Sequence, residues 1–160
     1  MKVLFVVKYM GDECLGIMHI ASLLKKNGYC VEAVEAKYEK ISQKLKDTDF
    51  AILAYSAPTI FAKHYLDLNK KIKEDFNVFS VFGGPHPTAL PEMIEEEGVD
   101  GICIGEGEFA MLELAKNIFS GRSARDVSNW WIKEDGRVYK NTLRPLVQNI
   151  DILPFPDRDL

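Results

Sequence analysis

Short apolar runs recur along the chain and alternate with longer segments of helical spacing. The first run, residues 3–7, reads VLFVV, and four more follow at residues 30–36, 50–55, 78–82 and 101–104. Continuous apolar runs rich in β-branched residues are typical of strands that are buried on both faces of a parallel sheet. The pattern therefore predicts five parallel strands.

Each run is followed by a segment whose apolar residues are spaced like those of an amphipathic helix. These positions are Leu15, Met18 and 20–24; Tyr38, Ile41 and Leu45; Tyr65, Leu68 and Ile72; 90–94; and Phe109, Leu112, Leu114 and Ile118. The repeated β-α order predicts a doubly wound α/β fold, because right-handed crossovers return each helix to the sheet. We expect a five-stranded parallel sheet with the flavodoxin-like order 2-1-3-4-5.

The pattern changes after Gly121. Residues 129–133 and 137–141 flank Glu134-Asp135-Gly136, which is a turn sequence typical of a β-hairpin. The hairpin is expected to form a small appendage on the edge of the α/β domain. The expected division of the chain is 1–122 for the α/β domain, 123–147 for the β-hairpin appendage and 148–160 for a linker toward a further domain.

Composition and charge limit the classes of partner that the chain is expected to bind. The 160 residues are 47% hydrophobic and 28% charged, with a net charge of -4 and a pI near 5.4. This is the composition of an ordinary globular protein, and it gives no basic field that would attract nucleic acid or anionic lipid. No apolar run approaches the roughly 20 residues of a membrane span. We therefore expect a cytoplasmic protein with small-molecule or protein partners, no nucleic acid binding and no membrane span.

The three cysteines, Cys14, Cys30 and Cys103, lie far apart in the chain. They form no C-x-x-C pair and no grouping with the spacing of zinc ligands. The sequence therefore predicts neither disulfides nor a metal cluster held by this chain.

Glycine and small hydroxyl residues are concentrated in the loops that follow the predicted strands. In an open α/β sheet, ligands bind at the carboxyl ends of the strands, where the strand order reverses. We therefore expect a cofactor site in these loops. The candidate residues are Met10, Gly11, Asp12, Glu13, Cys14, Leu15 and Gly16 after strand one; Ser56, Ala57, Pro58 and Thr59 after strand three; Gly83, Gly84, Pro85 and His86 after strand four; and Gly105, Glu106, Gly107 and Glu108 after strand five.

Several of these residues have a structural interpretation beside the functional one. The Gly83-Gly84 pair lets the backbone approach a bulky ligand, or it forms a tight turn. Ser56 and Thr59 offer hydroxyl groups to a ligand, or they cap a helix. His86, held between two prolines, could donate a hydrogen bond or face a metal centre, but it is assigned no ligand role.

The loops contain no motif that indicates a hydrolytic or a nucleotide-binding site. Glu106 and Glu108 begin the fifth predicted helix, where the helix dipole alone explains two carboxylates. The chain contains no P-loop, no G-x-S-x-G motif and no strict G-x-G-x-x-G after the first strand. Nucleotide hydrolysis, esterase chemistry and standard dinucleotide binding are therefore not expected.

Taken together, the loops resemble the cobalamin-binding domain at the amino terminus of many radical S-adenosylmethionine enzymes. The matching blocks are residues 2–7 with Leu15-Gly16, residues 81–88 (VFGGPHPT) and residues 99–108 (VDGICIGEGE). Residues 153–158 (LPFPDR) are similar to the segment that leads into the radical barrel of that family. The resemblance covers essentially the whole chain.

The resemblance implies a corrinoid that lies across the strand ends, with its nucleotide tail entering the sheet edge near strands three to five. Ser56, Thr59, Gly83 and Gly84 would then line the tail or the edge of the ring, and residues 10–16 would lie under the ring. Other cobalamin domains carry a D-x-H-x-x-G motif whose histidine ligates cobalt, whereas this loop reads MGDECLG. The resemblance therefore implies cobalamin without that histidine ligand, which is common in the radical subclass.

The cysteine triad C-x-x-x-C-x-x-C, which holds the [4Fe-4S] cluster in that family, is absent. The resemblance thus assigns the cluster and S-adenosylmethionine to a downstream domain in cis, and this chain is expected to bind cobalamin without catalysing a reaction alone. In the full-length protein it implies methyl transfer or related radical chemistry. The alternatives are a flavodoxin-like or receiver-like interaction domain that binds no corrinoid, and a domain that keeps the fold without the cofactor.

Overall fold

The computed structural model describes residues 1–11 and 14–160, within which strands and helices alternate as far as β5 and α5. The strands are β1 (Lys2–Val7), β2 (Cys30–Glu35), β3 (Ala51–Ser56), β4 (Val78–Gly83), β5 (Gly101–Cys103), β6 (Trp130–Glu134) and β7 (Arg137–Lys140). The helices are α1 (Leu15–Lys26), α2 (Tyr38–Leu45), α3 (Thr59–Asp75), α4 (Pro85–Ala89) and α5 (Glu108–Phe119).

All of these strands belong to one sheet, in the order β2-β1-β3-β4-β5-β6-β7. β1 to β5 are parallel and follow the predicted flavodoxin-like order. The prediction of a five-stranded, purely parallel sheet is wrong, because the hairpin of β6 and β7 joins the sheet. β6 pairs antiparallel with β5, so the sheet is mixed and has seven strands.

The hairpin joins the sheet where a short strand would otherwise leave an open edge. Gly101 of β5 lies opposite Ile132 of β6. A Cβ atom at Gly101 would lie 2.9 Å from Ile132 Cδ1, so glycine permits this close approach. The Asp135-Gly136 turn has positive φ at both residues, as a tight hairpin requires, and Trp130 is buried in the core. The hairpin thus covers the β5 edge with buried apolar contacts.

The two faces of the sheet carry separate hydrophobic cores. The face that packs against α2 and α3, called the α2/α3 face, includes the rings of Tyr55, Tyr65 and Phe82. The opposite face, called the α1/α5 face, includes Ala54 and Met111. Because side chains alternate along a strand, the neighbours Ala54 and Tyr55 of β3 serve opposite faces.

The segment after β4 differs in detail from the prediction. The apolar spacing predicts a helix over residues 90–94, whereas the structure has the short helix α4 and a separate 3₁₀ helix at Pro91–Glu95. Leu90 stands between them with φ of -130° and ψ of 72°. A residue that precedes a proline is disfavoured in the helical region, so Pro91 ends one helix and begins the next.

The last segment of the chain folds back along α1. The Asp157 N–H donates to the carbonyl oxygen of Met18 (3.1 Å), and the Asp157 carboxylate forms an ion pair with Lys25 (2.5 Å). His19 Nδ1 lies 3.2 Å from the carbonyl oxygen of Pro154. The segment predicted as a linker therefore has defined contacts with α1.

Candidate functional site

A cavity of about 230 Å³ opens between the sheet, α1 and α5 at the carboxyl ends of the parallel strands. Its inner wall is made of buried residues from strands and helices: Phe5, Ile17, Ala54, Tyr55, Val81, Cys103, Met111 and Trp130. The half-buried Ile20 also lines it, and Tyr55 lines it from a strand position whose ring packs on the α2/α3 face. Its mouth is made of residues at strand ends, loops and helix starts: Gly16, Ser56, Gly83, Gly84, Gly105, Glu106, Gly107 and Glu108. The cavity therefore lies at the edge of the sheet where ligands of open α/β folds bind.

The cavity exists because the α1/α5 face carries small residues near this edge. Phe5, Ala54 and Val81 lie side by side in register on β1, β3 and β4. Two residues beyond Val81, Gly83 has no side chain, and a Cβ atom there would lie 3.7 Å from Cys103 Cβ. Protein interiors are otherwise close-packed, so a larger residue at position 54 or 83 would fill the space.

Hydrogen bonds join the loop after β3 to the loop after β4. The Ala57 N–H donates to the Gly83 carbonyl (2.8 Å), and the His86 N–H donates to the Ala57 carbonyl (3.0 Å). His86 Nδ1 lies 3.2 Å from Thr59 Oγ1. Gly84 has φ of 95°, and a Cβ atom there would lie 3.3 Å from Ala57 N, so this turn needs glycine. The two loops thus form one continuous rim.

Asn129 holds the loop after β5 from the side of the hairpin. It is 3% exposed and has φ of 73°. Its Nδ2 donates to the Glu106 carbonyl (2.9 Å), and its Oδ1 accepts from the Arg144 N–H (2.6 Å). Its own carbonyl accepts from the Ile104 N–H (2.9 Å). One buried amide therefore connects the mouth of the cavity to the chain that leaves the hairpin.

Charge is confined to the mouth of the cavity. Glu108 lies in the first turn of α5, where the helix dipole stabilises it, and Glu106 Oε2 accepts from the Val147 N–H (3.3 Å). Inside, burial raises the pKa of the Cys103 thiol to about 12, and the charge of Glu108 acts in the same direction. At neutral pH this thiol is protonated, so the inner wall is uncharged.

The predicted site residues fall into several groups. All eight residues of the mouth belong to the predicted set. Five others adjoin these residues in the sequence and do not line the cavity: Ala57 and Pro58 in the loop after β3, Thr59 at the start of α3, and Pro85 and His86 in α4. Met10 and Cys14 line a separate shallow groove with Leu160, and Gly11 and Leu15 are exposed. Asp12 and Glu13 lie outside the described residues, and the binding role of the whole set stays a prediction.

Sequence reasoning missed the inner wall of the cavity. Ala54, Cys103, Met111 and Trp130 line it, yet each sits in a run that is typical of ordinary core. A signal was present at the carboxyl ends of β3 and β4, where the small residues Ala54 and Val81 on one face alternate with the rings of Tyr55 and Phe82 on the other. That alternation indicates which face has room for a ligand, but it does so only once the strands are aligned.

The fold and this cavity define an open α/β domain with a largely apolar cavity at the carboxyl edge of its sheet. The sequence profile of the B12 binding domain matches residues 5–115. The chain therefore belongs to the B12-binding domain family.

Two relatives are much longer than this chain. An uncharacterised methyltransferase of Pyrococcus horikoshii is 32% identical over 155 residues, which cover 91% of this chain and 33% of the relative. The anaerobic magnesium-protoporphyrin IX monomethyl ester cyclase of Rubrivivax gelatinosus is 27% identical over 150 residues, which cover 84% of this chain and 27% of the relative. The chain thus spans a third or less of the length of these relatives.

Solved structures share the fold. The cobalamin-dependent S-adenosylmethionine radical enzyme OxsB, solved with aqua-cobalamin bound, aligns with a TM-score of 0.80 at 22% identity and covers 99% of this chain and 24% of OxsB. The radical S-adenosylmethionine methyltransferase TsrM from Kitasatospora setae aligns with a TM-score of 0.69 at 16% identity and covers 86% of this chain and 29% of TsrM. The family match confirms the prediction of a B12-binding domain, and these alignments show that OxsB and TsrM share its fold.

Proposed function

We propose that the chain binds cobalamin with the corrin ring across the carboxyl edge of the sheet and the nucleotide base in the cavity between α1 and α5. The observation that carries this proposal is the cavity, a largely apolar space open at that edge in a member of the B12-binding family. A cavity of roughly 150 Å³ takes a benzene ring, so about 230 Å³ suits a bicyclic base but not a macrocycle.

The surface around the mouth supports the placement of the ring. Five large apolar side chains are about half exposed or more at this edge of the molecule, on the loop after β1 and at the starts or ends of helices. They are Tyr9, Met10, Leu15, Ile60 and Leu90. A flat macrocycle that lies across this edge would remove apolar side chains of this kind from water, which is favourable.

The polar groups at the mouth fit the outer parts of a corrinoid. Ser56 and the backbone at Gly83 and Gly84 would hold the tail, and Glu106 and Glu108 would accept hydrogen bonds from the amide side chains of the ring. The sequence between β1 and α1 contains no histidine, so we propose binding without a D-x-H-x-x-G ligand. When bound, the corrinoid would supply a cobalt centre that can carry a methyl group.

We further propose that this domain serves a radical S-adenosylmethionine domain in cis, which would hold S-adenosylmethionine and a [4Fe-4S] cluster and carry out methyl transfer or related radical chemistry. The greater length of the relatives and the descriptions of OxsB and TsrM support this. In this proposal residues 1–122 and 123–147 form the cofactor domain, and 148–160 lead toward the radical domain.

Sequencing the gene beyond codon 160 should show C-x-x-x-C-x-x-C within a few dozen residues, and its absence there would contradict the proposal.

Reconstitution with hydroxocobalamin tests the binding proposal. The purified chain is mixed with excess hydroxocobalamin, desalted, and examined by visible absorption. We expect about one corrinoid to be retained per chain. Retention of no corrinoid at high protein concentration would overturn the proposal, and retention of flavin mononucleotide in a parallel sample would favour the flavodoxin-like alternative.

Within residues 1–11 and 14–160, no helix combines the length and the apolar character needed to cross a bilayer. A cytoplasmic location and the lack of nucleic acid binding stay predictions.

A further inference from the structure

The inner wall of the cavity offers very few hydrogen-bonding groups. Phe5, Ala54, Val81 and Met111 are all buried and have apolar side chains. The one ring N–H among the inner-wall side chains described, Trp130 Nε1, donates to the carbonyl oxygen of Ala110 (2.9 Å). It is therefore already satisfied by the protein and has no remaining donor for a ligand.

Cys103 is the remaining polar side chain that the α1/α5 face gives to the inner wall, because the ring of Tyr55 packs against Phe82 on the α2/α3 face. Its sulfur lies 4.0 Å from the carbonyl oxygen of Glu106, and a thiol is a weak donor and a weak acceptor. The stronger groups, Ser56, Glu106 and Glu108, belong to the mouth. A group that enters the cavity fully therefore leaves these stronger partners behind.

We propose that this cavity selects corrinoids by the chemistry of the nucleotide base, accepting a methylated benzimidazole and rejecting a purine. The inference rests on the proposed cobalamin function and deepens it. A benzimidazole that is attached through one nitrogen presents a largely apolar edge, which the inner wall would match. Adenine has three unattached ring nitrogens and an amino group, which would lose their hydrogen bonds with water on entering the cavity.

The selection between bases would arise from the free-energy cost of burying polar groups that have no hydrogen-bond partner. Burying a polar group without a partner is much less favourable than burying an apolar group of the same shape. Water could not restore the bonds, because a buried water itself needs two to four polar partners, which the inner wall described above does not supply. Binding of a purine base should therefore be weaker by about tenfold or more.

A comparison of three corrinoids on the 160-residue chain tests the inference. The probes are cobalamin, its analogue with adenine in place of dimethylbenzimidazole, and cobinamide, which has no nucleotide. Dissociation constants come from visible absorption titrations. We expect cobalamin to bind most tightly, the adenine analogue at least about tenfold more weakly, and cobinamide also more weakly than cobalamin.

The other outcomes separate the inference from the proposed function. Equal binding of cobalamin and the adenine analogue, with weak cobinamide, would overturn the base selection while leaving corrinoid binding intact. Equal binding of cobinamide and cobalamin would show that no base occupies the cavity, which also overturns the inference. Failure of all three to bind would overturn the proposed function and the inference with it.

A substitution on the inner wall sharpens the test. Cys103→Ser adds a hydroxyl group to the cavity, and we expect the preference for cobalamin over the adenine analogue to fall severalfold. Cys30→Ser, at an exposed position outside the cavity, is the matched control and should leave the preference unchanged. Val81→Thr, which adds a hydroxyl group in nearly the same shape, repeats the test if Cys103→Ser does not fold. An unchanged preference in a folded inner-wall variant would contradict the inference.

Discussion

The two faces of the sheet are formed by the same strands but differ in how closely they are packed. On the α2/α3 face, the rings of Tyr55 and Phe82 stack with their centroids 4.5 Å apart and their planes 10° apart, and Tyr65 packs beside them. On the α1/α5 face, the neighbouring positions Ala54 and Gly83 leave a cavity of about 230 Å³. The large residues of one face fill its core, and the small residues of the other leave room for a ligand.

This difference shows how one sheet can combine stability with binding. Aromatic rings bury large areas and contribute strongly to the core, whereas a cavity removes contacts from the residues that line it. The α2/α3 face should therefore determine the free energy of unfolding, and the α1/α5 face should determine affinity for the cofactor. Substitutions on each face test this assignment, because those on the α2/α3 face should change mainly stability and those on the α1/α5 face mainly affinity.

The largest expected effect is on the packed face. Phe82→Ala should lower the free energy of unfolding by about 3–5 kcal/mol, because it removes a fully buried ring from a close-packed cluster. Met111→Ala, on the cavity face, should cost only about 2 kcal/mol, because Met111 already lacks neighbours on one side. Urea unfolding measures both values, and equal losses would contradict the division between the faces.

The next effect is on binding. Ala54→Leu should weaken cobalamin binding by about a hundredfold, because the added side chain would occupy the space of the base. Leu53→Met, on the same strand but in the core of the α2/α3 face and outside the cavity lining, is the matched control and should leave the dissociation constant unchanged. Leucine and methionine have similar volumes, so this control should also largely preserve stability. A loss of affinity in Leu53→Met as large as that in Ala54→Leu would refute the assignment.

A smaller effect is expected at Asn129, which supports the mouth of the cavity. Asn129→Ala should destabilise the fold by about 2 kcal/mol. It leaves the buried partners of the Asn129 side chain without hydrogen bonds. It also places alanine at positive φ, which asparagine adopts more readily because its polar side chain can form local hydrogen bonds. Asn129→Gly relieves the backbone cost but not the lost hydrogen bonds. Calorimetric unfolding of the two variants separates the contributions, and if neither is destabilised, the amide has no supporting role.

The sequence contains most of the information about the mouth and little about the inner wall. Glycines and hydroxyl residues at strand ends, such as Gly84 and Ser56, differ visibly from their surroundings, so the loops could be recognised. Cys103 and Met111 could not, because a residue that lines an apolar cavity has the same chemistry as a residue in a packed core. Asn129 also escaped notice, because its positive φ and its buried contacts depend on the hairpin's position.

The arrangement of the strands shows the same limit. Apolar runs and turn residues indicated each strand and the turn at Asp135-Gly136, because these signals are local. They did not indicate that the hairpin would pair with β5. That pairing depends on Gly101 lying opposite Ile132, which is a contact between positions far apart in the chain.

The last expected effect, which is absent at neutral pH, is a dependence of stability on alkaline pH from the cavity face. The Cys103 thiol has an ordinary pKa of 9.0 and a folded pKa of about 12. The unfolded chain therefore releases this proton first, so the contribution of the thiol to stability is complete below pH 9 and is lost as pH rises toward 12. Cys103→Ala should make the free energy of unfolding fall less steeply between these pH values. An unchanged slope in urea titrations would contradict the buried, protonated state of the thiol.

The most direct test of the account uses two methionines that are matched in burial. Met111 lines the cavity on the α1/α5 face, and Met93 is buried in the core of the α2/α3 face. In a chain labelled with ¹³C at the methionine methyl groups, cobalamin should shift the NMR signal of Met111 strongly and leave that of Met93 unchanged, because the base would lie against the first and not the second. A saturated complex in which Met111 does not move, or in which Met93 moves as far, would contradict the placement of the cofactor.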